Sequence, residues 1–102
     1  MINVNVKREK SAWRMEVKGH AGYADYGHDI VCAAISTACI LTANLTEKID
    51  LGYNLLDIVA DEGYFLFVIN PKSKLATAIF DNMEYCVDDI QKQYPKYIKY
   101  TN

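Results

Sequence analysis

The chain has 102 residues, 51% of them hydrophobic and 24% charged, which is the make-up of one ordinary globular domain with a modest core. A formal net charge of -2 excludes a generally basic surface, so direct binding to nucleic acid is not expected, while a basic peptide partner is electrostatically acceptable. Three cysteines cannot close a full set of disulfides within one chain, the opening "MINVNVKREK" has no apolar secretory core, and no apolar run is expected to be long enough for a bilayer, so a reduced, soluble protein of the cytoplasm without membrane attachment is expected.

"MINVNVKR" places Ile2, Val4 and Val6 on one face and Asn3, Asn5 and Lys7 on the other, the alternation of a half-buried strand. After a turn at "EKS", "AWRMEVKG" alternates again through Trp13, Met15 and Val17, which predicts a hairpin. A glycine-bearing loop follows. Asp29 is a good N-cap for the helical stretch "IVCAAISTACILTANLTEKI". That helix is apolar nearly all round, which predicts burial on more than one side, by a sheet and by a second helix or subunit. "GYNLLDIVA" and "GYFLFVIN" read as strands joined at Asp61, Glu62 and Gly63. Beyond Pro71, Leu75, Ile79, Met83, Cys86, Val87 and Ile90 fall near helical spacing opposite a charged face. Pro95 ends this helix, and "KYIKYT" reads as a last strand. The expected class is α+β: a largely antiparallel sheet with two helices, in the order β-β-α-β-β-α-β, as a single domain over 1–102.

The segment "GHAGYADYGHDIVCAAIS", residues 19–36, concentrates the reactive side chains: both histidines and the first cysteine. With Asp29 as cap, Cys32 would be the third helical residue, where unpaired amides and the helix dipole favour a thiolate and could hold an oxyanion. His20 lies twelve residues upstream, at the exit of the second strand, and the intervening loop is long enough to bring its imidazole to the thiol. A histidine base beside an activated cysteine is the minimal equipment for acyl transfer. Cysteines in apolar helices are more often core residues, and Cys39 and Cys86 keep that reading. Ser36, one turn after Cys32, can orient the thiol or simply bond back to its own helix. His28 reads as a loop residue, and Asp57, Asp61 and Glu62 as an exposed strand end and turn. The His20, His28, Cys32 and Cys39 spacing matches no compact zinc set, so neither a metal nor another cofactor is expected.

In its ordered combination of "GHA", a glycine-bearing loop and "DIVCAAIS", the segment resembles the ribosomal-processing cysteine proteases, and the likeness runs over essentially the whole chain. The resemblance implies a homodimeric α+β cysteine endopeptidase that removes the N-terminal extension of a large-subunit ribosomal protein, cutting after apolar and aromatic residues. It places the base on His20, the nucleophile on Cys32, and supporting roles on Gly19, Asp29 and Ser36. Tyr23 and Tyr26 could then cover a hydrophobic cleft as a substrate lid or anchor the loop by ring burial, with Gly19, Gly22 and Gly27 as hinges. Two rival readings use the same residues: a non-enzymatic module that binds a ribosomal protein or assembly intermediate, and a thiol sensor. The sensor is disfavoured because Cys39 stands about 10 Å along the helix from Cys32, too far for a disulfide.

Overall fold

Strand alternation and two proline breaks divide the chain as anticipated. The computed structural model describes residues 1–19 and 26–101, the side chains of 26–29 excepted. Its elements are β1 (Ile2–Arg8), β2 (Trp13–Lys18), α1 (Tyr26–Lys48), a 3-10 turn (Gly52–Asn54), β3 (Leu55–Asp61), β4 (Tyr64–Ile69), α2 (Lys74–Gln93) and β5 (Ile98–Tyr100). The five strands lie in the order β3-β4-β2-β1-β5, antiparallel except for the pair β1–β5. The α+β order expected from the sequence is the order found.

Register decides which residues reach the core. Val17 lies opposite Val4 on one side and Phe65 on the other, and Met15 opposite Val6 and Phe67. The period of two sends all of these to one sheet face. Against that face pack Val31, Ile35 and Ala38 of α1 and Ala76, Ile79, Phe80, Met83 and Val87 of α2. Phe80 is the centre of an aromatic group: its ring lies 5.5 Å from Trp13, edge-on, and 5.9 Å from Phe67, stacked. Arg8 caps this group, its guanidinium 4.7 Å from the Trp13 ring and paired with Asp81 and Glu84 of α2. Ser73 caps α2 by accepting from the Ala76 amide at 3.1 Å. Leu75, expected on the inner stripe, is instead exposed: the buried positions of α2 are 76, 79, 80, 83 and 87, so the stripe begins at Ala76 and leaves Leu75 outside it in the first turn.

Two features of α1 differ from the sequence reading. The helix starts at Tyr26, so Asp29 is its fourth residue and not its cap. An acidic residue suits the first turn as well as the cap, since both positions meet the positive end of the helix dipole, and the choice between them is invisible in composition. Second, the 19 residues Ile30–Lys48, whose best 18-residue stretch has a mean hydropathy of 1.5, are long and apolar enough to cross a bilayer by those measures alone. The expectation to the contrary counted uninterrupted apolar residues, and Ser36, Thr37, Thr42 and Thr46 lower the mean only slightly. Here α1 packs on α2 and β3. Thr42 donates to the Ala38 carbonyl at 2.9 Å and lies 3.1 Å from the Met83 sulfur, and Thr46 donates to the Ala43 carbonyl at 2.8 Å, so the buried hydroxyls are bonded. Burial on two sides is only half realised: Ile40 is 55% and Leu41 64% exposed, and Ile30 and Leu45 are exposed beside them.

Candidate active site

The second strand leaves the sheet through a position only glycine can fill. Gly19 has φ +119°, its amide donates to the Gly63 carbonyl at 3.0 Å, and a Cβ built on it would overlap the Met1 carbonyl oxygen and sit 3.1 Å from the Ile2 Cα. Three chain segments therefore meet at this end of the sheet: the start of β1, the exit of β2, and the β3–β4 turn.

A cavity of about 400 Å³ opens there, between the helix-facing side of the sheet and α1. Ile2, Val17, Ala60 and Phe65 give its sheet side. Cys32, Ile35, Ser36, Cys39 and Ile40 give its helix side, spread over more than two turns. Gly19 and the turn Asp61–Gly63 complete the wall. It is mostly apolar with a few polar groups, the make-up of a site for an organic ligand or a peptide.

The three thiols differ in setting. Cys39 is buried, and burial, with a smaller contribution from neighbouring Cys86, pushes it up to about 12, so it stays a thiol at neutral pH. Cys32 is only partly buried and borders the cavity. Because α1 begins at Tyr26, Cys32 is the seventh helical residue. The amides without an intrahelical acceptor are those of the first helical residues, ahead of residue 29 and about one turn before the sulfur, and the dipole's effect falls off within that first turn. The expectation that unpaired amides lie directly at Cys32 is therefore corrected: an early helix start moves them away.

Of the residues singled out in the sequence, the structure brings Gly19, Cys32 and Ser36 to one cavity. His20 and Tyr23 lie outside the described residues, as does Gly22. Tyr26 and Asp29 are described in their backbone alone, both within the first turn of α1, and Gly27 is helical beside them. Asp61 and Glu62 form the expected exposed turn and also border the cavity. Sequence reasoning missed Ile2, Val17, Ala60 and Phe65. Nothing in a strand's alternation tells which end of it will face a cavity; the nearest signal was Gly63, which marks the turn. Among the described residues no group of His, Cys, Asp and Glu is arranged to hold a metal ion.

A partly exposed thiol in an apolar cavity, on a helix packed over a largely antiparallel sheet, defines a candidate thiol hydrolase. The sequence profile of the family described as "Cysteine protease Prp" matches residues 1–99, and the chain belongs to that family of cysteine proteases. It is 30% identical to the ribosomal processing cysteine protease Prp of Bacillus subtilis (strain 168), over 99% of this chain and 96% of that one. Its counterpart in Staphylococcus aureus (strain Mu50 / ATCC 700699) is 28% identical, over 96% and 93%. In structure, the chain resembles the S. aureus protease crystallised with a substrate peptide (TM-score 0.80, 26% identity, 99% and 98% covered) and with a covalently linked product peptide (TM-score 0.77, 27% identity, the same coverage).

Proposed function

We propose that the chain acts, as one domain, as a cysteine endopeptidase with His20 and Cys32 as its base and nucleophile, removing the N-terminal extension of a ribosomal protein. One observation carries the pairing: Gly19 and Cys32 border the same cavity, and His20 is the residue that follows Gly19. The S. aureus relative, crystallised with a substrate peptide and with a covalently linked product peptide, supports peptide cleavage through a covalent intermediate.

The chemistry runs in two halves. His20 takes the Cys32 proton, and the thiolate attacks the scissile carbonyl carbon to give a tetrahedral oxyanion. As the C–N bond breaks, His20 returns the proton to the leaving amine, and the acyl group stays on sulfur. Water, deprotonated by His20, then adds to the thioester and releases the carboxylate and the thiol. With the start of α1 a full turn before Cys32, activation of the thiol falls chiefly to the imidazole. Ser36, on the cavity wall one turn beyond Cys32, touches the peptide, and Gly19 fixes the direction in which the chain enters His20. Asp29 favours the first turn of α1 electrostatically. Tyr23 and Tyr26 cover the bound peptide. No cofactor takes part.

The bare apolar face of α1, with Leu41 and Leu45, favours a homodimer, since exposed apolar patches of this kind mark association sites. The enzyme works in the bacterial cytoplasm, without direct contact to nucleic acid or membrane.

The test is incubation with a peptide spanning an apolar, aromatic N-terminal extension. Cleavage is expected for wild type, and a loss of at least about a thousandfold for folded Cys32→Ala and His20→Ala. Binding without cleavage by wild type would replace the enzyme with a binding module.

A further inference from the structure

The cavity extends well beyond the sulfur. From Cys32 to Ile40 the helix advances about 12 Å, at about 1.5 Å per residue. An extended peptide covers that distance in roughly three to four residues, at about 3.3 Å each. Ile40 is a large branched side chain, 55% exposed and outside the buried core, yet it borders the cavity. On the sheet side of the same cavity stands Ala60, the last residue but one of the edge strand β3. It lies opposite Phe65, so its methyl shares the helix-facing side of the sheet. Ala60 is exposed and small, and a larger side chain there would project into the cavity.

We infer that Ile40 and Ala60 form a distal specificity pair, which accepts a bulky apolar side chain of the peptide three or four residues from the bond that is cut. This rests on the proteolytic reading and adds the residues that choose the substrate. Ile40 supplies apolar contact and Ala60 supplies room. Asp61 and Glu62, beside Ala60 on the same wall, disfavour an acidic side chain at that place by like-charge repulsion.

The test uses a peptide cleaved by the wild type, together with a series in which each residue in turn is replaced by alanine. Ala60→Phe is expected to lower kcat/KM about tenfold for the parent peptide and to leave the peptide with alanine at the distal position nearly unchanged. Ile40→Ala is expected to reduce the preference for a large over a small residue there by a similar factor, chiefly through KM, because the contact is made equally in ground and transition states. The mass of each variant in solution is measured alongside, since Ile40 adjoins Leu41 of the bare face of α1. Lost selectivity at the wild-type mass supports the pair. Coupling to the residue next to the cut bond, or an equal loss on every peptide, overturns it. Failure of the proteolytic reading looks different: the wild type then cleaves no peptide in the series.

Discussion

Replacing Gly19 by alanine tests how the site is anchored, and its cost can be worked from two contributions. A residue with a side chain at φ +119° carries backbone strain of about 1–3 kcal/mol. The added Cβ also meets backbone and not a pliable side chain: it overlaps the Met1 carbonyl oxygen and lies 3.1 Å from the Ile2 Cα. Ile2 cannot easily withdraw, because its amide donates to the Tyr97 carbonyl at 2.9 Å and its side chain is 1% exposed. Overpacking of this sort costs about 1–3 kcal/mol more. The sum is about 2–6 kcal/mol. Gly52→Ala is the control. That glycine also has positive φ, +59°, but its nearest neighbour is Asp50 Oδ1 at 4.0 Å, so only the left-handed conformation is penalised, by about 1 kcal/mol. Urea unfolding of the two variants measures the difference. Equal losses would refute the argument, for they would show that β1 yields at no cost and does not hold the exit of β2.

Alkylation at pH 8 should separate the thiols: Cys39, with a value of about 12, is ionised in roughly one molecule in ten thousand and should react far more slowly than Cys32, as read by mass spectrometry of digested protein. The Glu16 carboxyl is held below its ordinary value of 4.5, first by the hydrogen bond that the Tyr64 hydroxyl donates at 2.7 Å. Its stabilising contribution is therefore complete above pH 4.5 and lost as pH falls through the lower folded-state value. Denaturation curves from pH 5 to 2 should show a steeper loss for wild type than for Tyr64→Phe. The same carboxylate pushes the Tyr64 phenol up, so the pair weakens again as pH rises through that raised value. Phe80→Ala should cost about 3–5 kcal/mol in urea unfolding, since the ring is fully buried between Trp13 and Phe67, and should leave the KM of the folded enzyme nearly unchanged because Phe80 does not border the cavity.

The elements were legible because each carries its own period. Ile2-Val4-Val6 and Trp13-Met15-Val17 alternate, Ile79-Met83-Val87 recur at helical spacing, and the turn at Asp61–Gly63 falls where expected. What escaped the sequence reading is relational. The start of α1 depends on how the preceding segment leaves Gly19, and Asp29 fits the first turn and the cap equally well by local propensity. Leu75 fits a helical stripe as well as Ala76 does, and only the packing of Phe80 against Trp13 and Phe67 decides between them. For the site, the helical character around Cys32 could be read one residue at a time, but its distance from the start of α1 could not. The cavity that gives the thiol its setting could not, because its wall combines Ile2, Val17, Ala60 and Phe65 from four strands, and that assembly is a property of register.

The parallel pairing of β5 with β1 has a consequence for biosynthesis. Ile2, part of the cavity wall, takes its backbone acceptor from Tyr97, and Val4 accepts from the Thr101 amide at 2.8 Å. These contacts join positions more than ninety residues apart, so a nascent chain still short of position 97 lacks them whatever the rest of it has done. The cavity wall beside Cys32 is thus among the last parts to be secured, and an emerging polypeptide passes through translation with that cavity unfinished.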